Sequence, residues 1–303
     1  MDLEFHYYIT YLTALAAGIV VTDAYKIAYS AQFVDDNLIS YKISYDDKCE
    51  NTVPTQTVNY FDPFSTKIWQ KIHFIAGDYK SANIRKDKLQ HKKCVTPNSK
   101  KAKQLLENAI ESKDHYRIGI ASHAYVDTWA HQDFVGEKSH FNNLNFMERS
   151  VGNVFASIGH ADAMSKPDRI NLIWRDTRLI YEIIYNKHRF LDAAKHLYKM
   201  FCTKYNSGKY TCKEEDFIND INWAIGKETK RYFPCINVGM KKRIKKYEQL
   251  ARKYSGYKIP IYNSKAWIDQ SIVRDKFGIC RWKGDYKNSH FYKFNQAAKF
   301  ILK

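Results

Sequence analysis

The stretch Ser122 to Phe134 reads SHAYVDTWAHQDF, with His123, Asp127 and His131 spaced four apart. At about 3.6 residues per turn, each step of four advances one turn and drifts by about 40°, so all three side chains project from one helix face. Ile118, Ile120, Ala121 and Ala124 make that helix apolar enough to be buried. Two imidazoles and a carboxylate on a buried face are costly unless something pairs them. A divalent ion, most simply zinc, pairs them through His nitrogen and Asp oxygen. A wet groove or hydrogen bonds to the backbone would satisfy them more plainly. Either way, the chain must build a helical core around polar groups.

A chain of 303 residues has room for a large core. Its net charge of +17 points to an anionic partner such as a phosphorylated substrate, nucleic acid or an acidic membrane surface, although a Lys-, Tyr-, Ile- and Asn-rich composition also arises in AT-rich genomes. The six cysteines (Cys49, Cys94, Cys202, Cys212, Cys235, Cys280) form no CxxC pair, which argues against a cysteine zinc site and for free thiols. The opening MDLEFHYY carries acids where a secretory signal carries bases. The apolar run Leu12 to Val21, broken by Thr13 and Gly18, is too short to span a bilayer. The expectation is a protein starting at or near Met1, without a transmembrane segment, cytoplasmic or exported without a cleaved signal peptide.

Periodicity predicts a helix from His6 to Ala17 ended by Gly18, then a second from Asp23 to about Asp36 with Thr22 as its N-cap. In the second, Ala24, Ile27, Ala28 and Ala31 form the apolar stripe; Asp35 continues it, while Asp36 falls with Tyr25, Tyr29 and Gln32. Leu38 to Phe64 reads as an excursion containing a short hairpin. Lys67 to Ala76 is apolar and holds His73, Asn83 to Asn98 is a basic loop, and Ser99 caps a helix to about Ser112. Helical spacing recurs over Leu144–His160, Leu172–Tyr185, Phe190–Tyr205, Glu214–Ile225, Val238–Tyr254 and Ala266–Phe277. The expected fold class is all-α: a single multi-helix domain over 1–303 with a metal-binding cleft. Its metal-binding half spans about 1–170, its outer helices about 171–303, and its minor strand content lies in the early loop and the extreme C-terminus.

Eight residues lie in or beside apolar segments where a casual His or Asp does not belong: His6, Asp35, His73, His123, Asp127, His131, His160 and Asp162. Singly, each has a bland explanation as a satisfied core or helix-end residue. Together they offer ligands for two or three ions, with Asp127 placed to bridge two.

This order resembles the zinc-dependent phospholipase C and S1/P1 nuclease superfamily, and the H-x3-D-x3-H helix is most similar to the branch that includes fungal heterokaryon-incompatibility proteins. The opening MDLEFHYYITYL and the phrase AYSAQFVDDN are similar to an uncharacterised bacterial family. The likeness covers roughly the first half of the chain. It implies an all-helical fold with a zinc cluster in a cleft, one ion held by Asp35 (or Asp36), His73, His123 and Asp127. His131 and His160 would hold a second, and His6 with Asp127 would contribute to a third. Two departures stand out. Where the secreted enzymes use a mature N-terminal Trp, this chain begins with Met1. Where they place an acid three residues beyond the last His, His160 is followed by Met164. Asp162 substitutes only if the helix breaks there, and Asp168 beyond the turn is the fallback.

Two or three neighbouring divalent ions suit phosphoester hydrolysis by activating water and neutralising phosphoryl charge, with Asp35 or Asp36 as a general base and Asp127 at the centre of the site. The expected activity is a zinc-dependent phosphoester hydrolase, other divalent metals being acceptable, acting on phospholipid or nucleic acid. Lys241-Lys242-Arg243-Ile244-Lys245-Lys246 would rest peripherally on an anionic membrane, track a phosphate backbone, or form a solvated face. Two readings compete. One is a metal-stabilised helical module without turnover. The other is an HD-type phosphohydrolase, which needs an adjacent His-Asp pair that the chain lacks.

Overall fold

A computed structural model describes residues 1–45, 48–57, 59, 62–144, 158–205, 210–233, 236–276 and 278–303. It is mostly helical. A π-helical turn, Glu4–Ile9, runs into α1 (Thr10–Ala16), which stops where Gly18 adopts φ +81°. In α2 (Val21–Asp36) the N-cap is Val20, without a side-chain cap, so Thr22 lies inside the helix. The early excursion holds an antiparallel hairpin, β1 (Lys42–Tyr45) and β2 (Lys48–Asn51). Next comes α3 (Pro63–Ile68), whose N-cap Asp62 accepts the Phe64 N–H, and it continues as a second π-helical turn, Trp69–His73.

The Ser99 hydroxyl caps α4 (Lys100–Glu111) by accepting the Ala102 N–H. Asp114 caps α5 (His115–Ala130), which carries the H-x3-D-x3-H motif and ends with His131 as its C-cap. Helix α5 packs against α2, α4 and the helices α6 (Asn186–Met200) and α10 (His290–Leu302), so the motif lies at the centre of the bundle. Its closest approach is at Gly119: a Cβ there would stand 2.3 Å from Ser30 Cβ and 2.5 Å from the Ile27 carbonyl oxygen on α2. The periphery adds α7 (Glu214–Ile225), α8 (Met240–Ser255) and α9 (Ala266–Ser271).

Three sequence expectations are corrected. Leu172–Tyr185 is not a helix but a hairpin, β3 (Ile173–Arg175) with β4 (Ile183–Tyr185), Trp174 facing Ile184 across it. The seven residues between its strands carry polar turn formers, and β-branched Ile173, Ile183 and Ile184 favour strands over a helix. The helix expected over 266–277 ends at Ser271 and leaves as β5 (Ile272–Arg274), which with β6 (Cys280–Trp282) extends the early hairpin into one sheet of order β2-β1-β6-β5. The extreme C-terminus is helical: Ser289 caps α10, and Phe291, Phe294, Ala298 and Leu302 are buried at helical spacing. The minor strands therefore lie in the early loop, at 173–185 and at 272–282. Most of the helix expected over 144–160 falls at 145–157, outside the described residues.

Candidate metal centre

Both early histidines sit on the two π-helical turns. Such turns widen the backbone spiral and gather at functional sites. His6 is locked by its own turn: Glu4 makes a two-pronged ion pair with Arg243 of α8, at 2.7 Å from both Nε and Nη2, with neither side chain more than 6% exposed. The same contact answers the question raised by the basic run. Arg243 turns inward, Lys246 donates to the Trp223 carbonyl, and the apolar face of α8 is consumed by the core through Tyr247, Leu250, Ala251 and Tyr254. Only Lys241, Lys242 and Lys245 remain exposed. An interfacial helix needs an apolar face to insert, and α8 has none left over.

These elements bring together three groups of ligand atoms, each within a 4.8 Å span: His6, His123 and Asp127; Asp35, His73 and His123; and His131, His160 and Asp168. Asp127 sits at their junction. Its carboxylate oxygens lie 3.2 Å from His6 Nε2, 3.1 Å from His123 Nε2, 3.5 Å from His73 Nδ1 and 2.5 Å from the Met1 nitrogen. Burial would push this carboxyl up, but His131, the Met1 amine, His123 and His6 around it hold it well below the usual carboxylate range.

The proton positions follow from the partners. His123 Nδ1 is 2.8 Å from the Ala31 carbonyl, His73 Nε2 is 2.9 Å from that of Thr55, His131 Nδ1 is 2.7 Å from that of His73, and His160 Nδ1 is 2.8 Å from that of Met164. A carbonyl oxygen only accepts, so each of these nitrogens carries the proton and the other nitrogen of each neutral ring presents a lone pair. The free lone pairs then meet other electron-rich atoms. His123 Nε2 faces His73 Nδ1 at 3.1 Å. His131 Nε2 and His160 Nε2 face the two oxygens of Asp168 at 3.2 and 3.3 Å. Buried lone pairs that confront one another repel unless a cation lies between them. A second ring nitrogen tied to a carbonyl or carboxylate is the usual support of a metal-binding histidine. The fit is strengthened at His6, which is fully buried, stacks on His123 at 3.8 Å, and has no hydrogen-bond partner at either nitrogen among the described residues.

Asp35, not Asp36, belongs to this cluster. Its oxygens lie 3.7 Å from His123 Nε2 and 3.8 Å from both His73 Nδ1 and His6 Nε2. Asp36 points elsewhere, accepting from the Tyr262 hydroxyl at 2.6 Å and from Gln32. Asp162 also stands apart, its carboxylate accepting the Leu144 N–H at 2.6 Å. Asp168 takes the place beside His160 because the chain turns through the 3-10 helix Ala161–Ala163 and doubles back. Buried Asn186 holds that return by donating to the carbonyls of Lys166 and Arg169, at 2.7 and 2.8 Å. No sequence signal marked Asn186; the Met1 nitrogen, at the position the family resemblance puts in question, is 3.2 Å from Asp168.

The groups open on a cavity of about 270 Å³ whose wall is aromatic at Trp69 and Phe74 and polar at Gln56, Asp35 and the His/Asp ligands. Phe74 stacks on His131 at 4.5 Å. Its ring fits because two close neighbours are glycines: a Cβ on Gly136 would meet Phe74 Cβ at 2.6 Å, and one on Gly159, at φ +51°, would meet Phe74 Cζ at 2.5 Å.

The protonation state gives the site a pH signature. Burial pulls His73 down, but the Asp127 carboxylate, 3.5 Å from its Nδ1, and the charge of Asp35 outweigh it and raise its pKa above the ordinary value of 6.5. In the metal-free protein, the pairing of protonated His73 with these carboxylates therefore stabilises the fold below that ordinary value and is lost as the pH rises through the raised one. A metal competes with that proton. Zinc affinity, measured against a chromophoric chelator from about pH 8 to about pH 6, is expected to fall by about tenfold per pH unit for each proton displaced, beginning above the ordinary histidine range. A flat profile would remove His73 from the ligand set.

The class defined so far is a mostly helical protein with a buried His/Asp centre fed by π-helical turns. The model of a family described as a family of unknown function (DUF6765) matches residues 1–303, and the chain belongs to that family. No curated protein and no solved structure matches it.

Proposed function

We propose that the chain is a metal-dependent phosphoester hydrolase of an all-helical, zinc phospholipase C or P1 nuclease-like kind. The observation that carries this reading is the pinning of buried His73, His123 and His131, and of half-buried His160, to backbone carbonyls, with their remaining lone pairs turned on one another and on carboxylates. Asp35, His73, His123 and Asp127 would hold one ion, His131, His160 and Asp168 a second, and His6 with Asp127 would contribute to a third. Bound divalent ions, most simply zinc, lower the pKa of water and neutralise phosphoryl charge.

The chain's own residues supply the rest. Asp35 lines the cavity and is 27% exposed, so a carboxylate oxygen there can take the proton of an attacking water, a role closed to Asp36 by its bond to Tyr262. Trp69 and Phe74 exclude water from one side, and Gln56 offers an amide donor to a phosphoryl oxygen. The cavity is slightly smaller than the roughly 300–1,000 Å³ of typical small-molecule sites, so it suits a phosphoryl group with its nearest substituents while the bulk of a phospholipid or nucleic acid stays outside.

The test is metal content of the freshly purified protein by plasma mass spectrometry, with hydrolysis of bis-p-nitrophenyl phosphate before chelation, after it, and after zinc is restored. Stoichiometric metal with chelation-sensitive, zinc-restored turnover is expected. Absence of metal at pH 8 (about the range where histidine is neutral) sinks the reading. Metal without turnover replaces it with a metal-stabilised binding module. Diacylglycerol release from liposomes, set against cleavage of single-stranded DNA, then separates the two substrate classes.

A further inference from the structure

The β3–β4 hairpin has the wrong outer face for a ribbon half in water. A two-stranded antiparallel ribbon packed on one side should be polar on the other. Here Trp174 and Ile184 are buried, yet Ile183 on the opposite face is 48% exposed, and Ile180 and Tyr181 in the connecting turn are 52% and 84% exposed. The loop at 79–93 lies beside this turn. The Ile180 N–H donates to the Ile84 carbonyl at 3.0 Å, and the Lys86 N–H donates to that of Arg178 at 2.9 Å. Ile84 and Leu89 on that loop are 67% and 52% exposed. Two neighbouring segments thus present bulky apolar side chains at one protruding place.

The charge of the loop is one-sided, while the hairpin balances Arg175 and Arg178 against Asp176 and Glu182, with Glu182 also pairing Lys86 and Glu137 pairing Lys93. Residues 79–93 carry Lys80, Arg85, Lys86, Lys88, Lys92 and Lys93 against Asp87, six positive charges less one negative, a net of +5 with His91 neutral. The same loop bends around a cavity of about 200 Å³ lined by Tyr79, Lys80, Asn83, Arg85, Lys88 and His91. Arg85 is committed to Asp87 and the Phe141 carbonyl, and the Asn83 amide to Asp133, while Lys80 and Lys88 are exposed at the cavity.

We propose that this hairpin and loop dock the chain on an anionic phospholipid bilayer, with Ile84, Leu89, Ile180, Tyr181 and Ile183 entering the interface and the lysines meeting the headgroups. Isoleucine and leucine tips gain nothing from a nucleic-acid backbone, whereas an apolar projection set in basic residues is what an acidic lipid surface rewards. The hairpin's inner face shares one apolar cluster with Trp69 and Phe74, so docking would hold the metal-centre cavity close to the lipid. The inference stands without the hydrolase reading and, where that reading holds, favours phospholipid as substrate.

Vesicle co-sedimentation tests it, run in chelator so that metal plays no part. The full chain is expected to sediment with phosphatidylcholine vesicles containing phosphatidylglycerol and to stay in solution with phosphatidylcholine alone. Ile180→Asp with Tyr181→Asp should weaken binding by about tenfold or more, since both apolar tips lose their insertion. Lys80→Glu with Lys88→Glu should weaken binding to the anionic vesicles as well. All four side chains are surface-placed, and an unchanged melting temperature would show the variants fold. No sedimentation of the wild type, or undiminished binding by the Ile180/Tyr181 variant, overturns the proposal and leaves the patch to a protein partner.

Discussion

Replacing Asp127 with asparagine is expected to cost the protein at least one bound ion and to lower its hydrolytic rate by about hundredfold or more. The change keeps the size, removes the charge and turns one acceptor oxygen into a donor NH2 that cannot ligate a metal. Loss of a group that merely supports a metal ligand costs about 10–100-fold, and Asp127 lies near four histidines and is itself a member of one ligand group, with His6 and His123. The metal-free protein should suffer too. Asp127 is 1% exposed, and taking the anion from a buried cluster leaves the Met1 amine uncompensated, a loss of about 3–5 kcal/mol. Asp36→Asn is the control: it disturbs only the bond to Tyr262 and the Gln32 contact, and should leave the metal in place. Metal content by plasma mass spectrometry and stability by urea denaturation read both effects. Unchanged metal and rate in Asp127→Asn would remove this residue from the centre.

Gly119→Ala should destabilise the fold by about 1–3 kcal/mol and weaken metal binding with it. Propensity alone argues the opposite, because Ala in a helix interior is better than Gly by about 1 kcal/mol. Packing decides the sign. The added methyl would sit 2.3 Å from Ser30 Cβ and 2.5 Å from the Ile27 carbonyl oxygen, neither of them the loose end of a flexible side chain. Relief means pushing α2 away from α5, which separates Asp35 from His123 and breaks the hydrogen bond from His123 Nδ1 to the Ala31 carbonyl. Adding Ser30→Gly should restore part of the stability and not all, since the Ile27 carbonyl remains. Urea midpoints of the single and double variants with chelator titrations check this. A more stable Gly119→Ala would show that the two helices are not in tight register at this level.

Much of the centre was legible in the sequence because helical period is local physics. Spacing of four put His123, Asp127 and His131 in one row, and the apolar stripe of α2 preferred Asp35 to Asp36 before any neighbour was known. The helices that show a clean stripe, α4 and α7 among them, lie close to where periodicity put them, α4 with its Ser99 cap. The hairpin at 173–185 was missed because a short apolar run fits either period, and β-branched content had to arbitrate. In α10 the signals are local, since the Ser289 cap and the apolar stripe Phe291, Phe294, Ala298 and Leu302 all lie within its own segment.

What only the tertiary structure decided is which distant atoms face each other. The turn through Ala161–Ala163 brings Asp168 into the centre and leaves Asp162 outside, bonded to the Leu144 N–H, a return held by Asn186 more than seventeen positions on from both. Arg243 reads as a surface base, yet it is buried against Glu4 at the opposite end of the chain. The carbonyls of Ala31, Thr55, His73 and Met164 that set four imidazole tautomers appear in no pattern, because every residue has a carbonyl and only packing selects the one that is used. The sequence by itself determined a helix with three ligand-type side chains on one face. The fold turned the remaining lone pairs toward common points, since direction in space belongs to how the helices pack and not to the order of residues along any one of them.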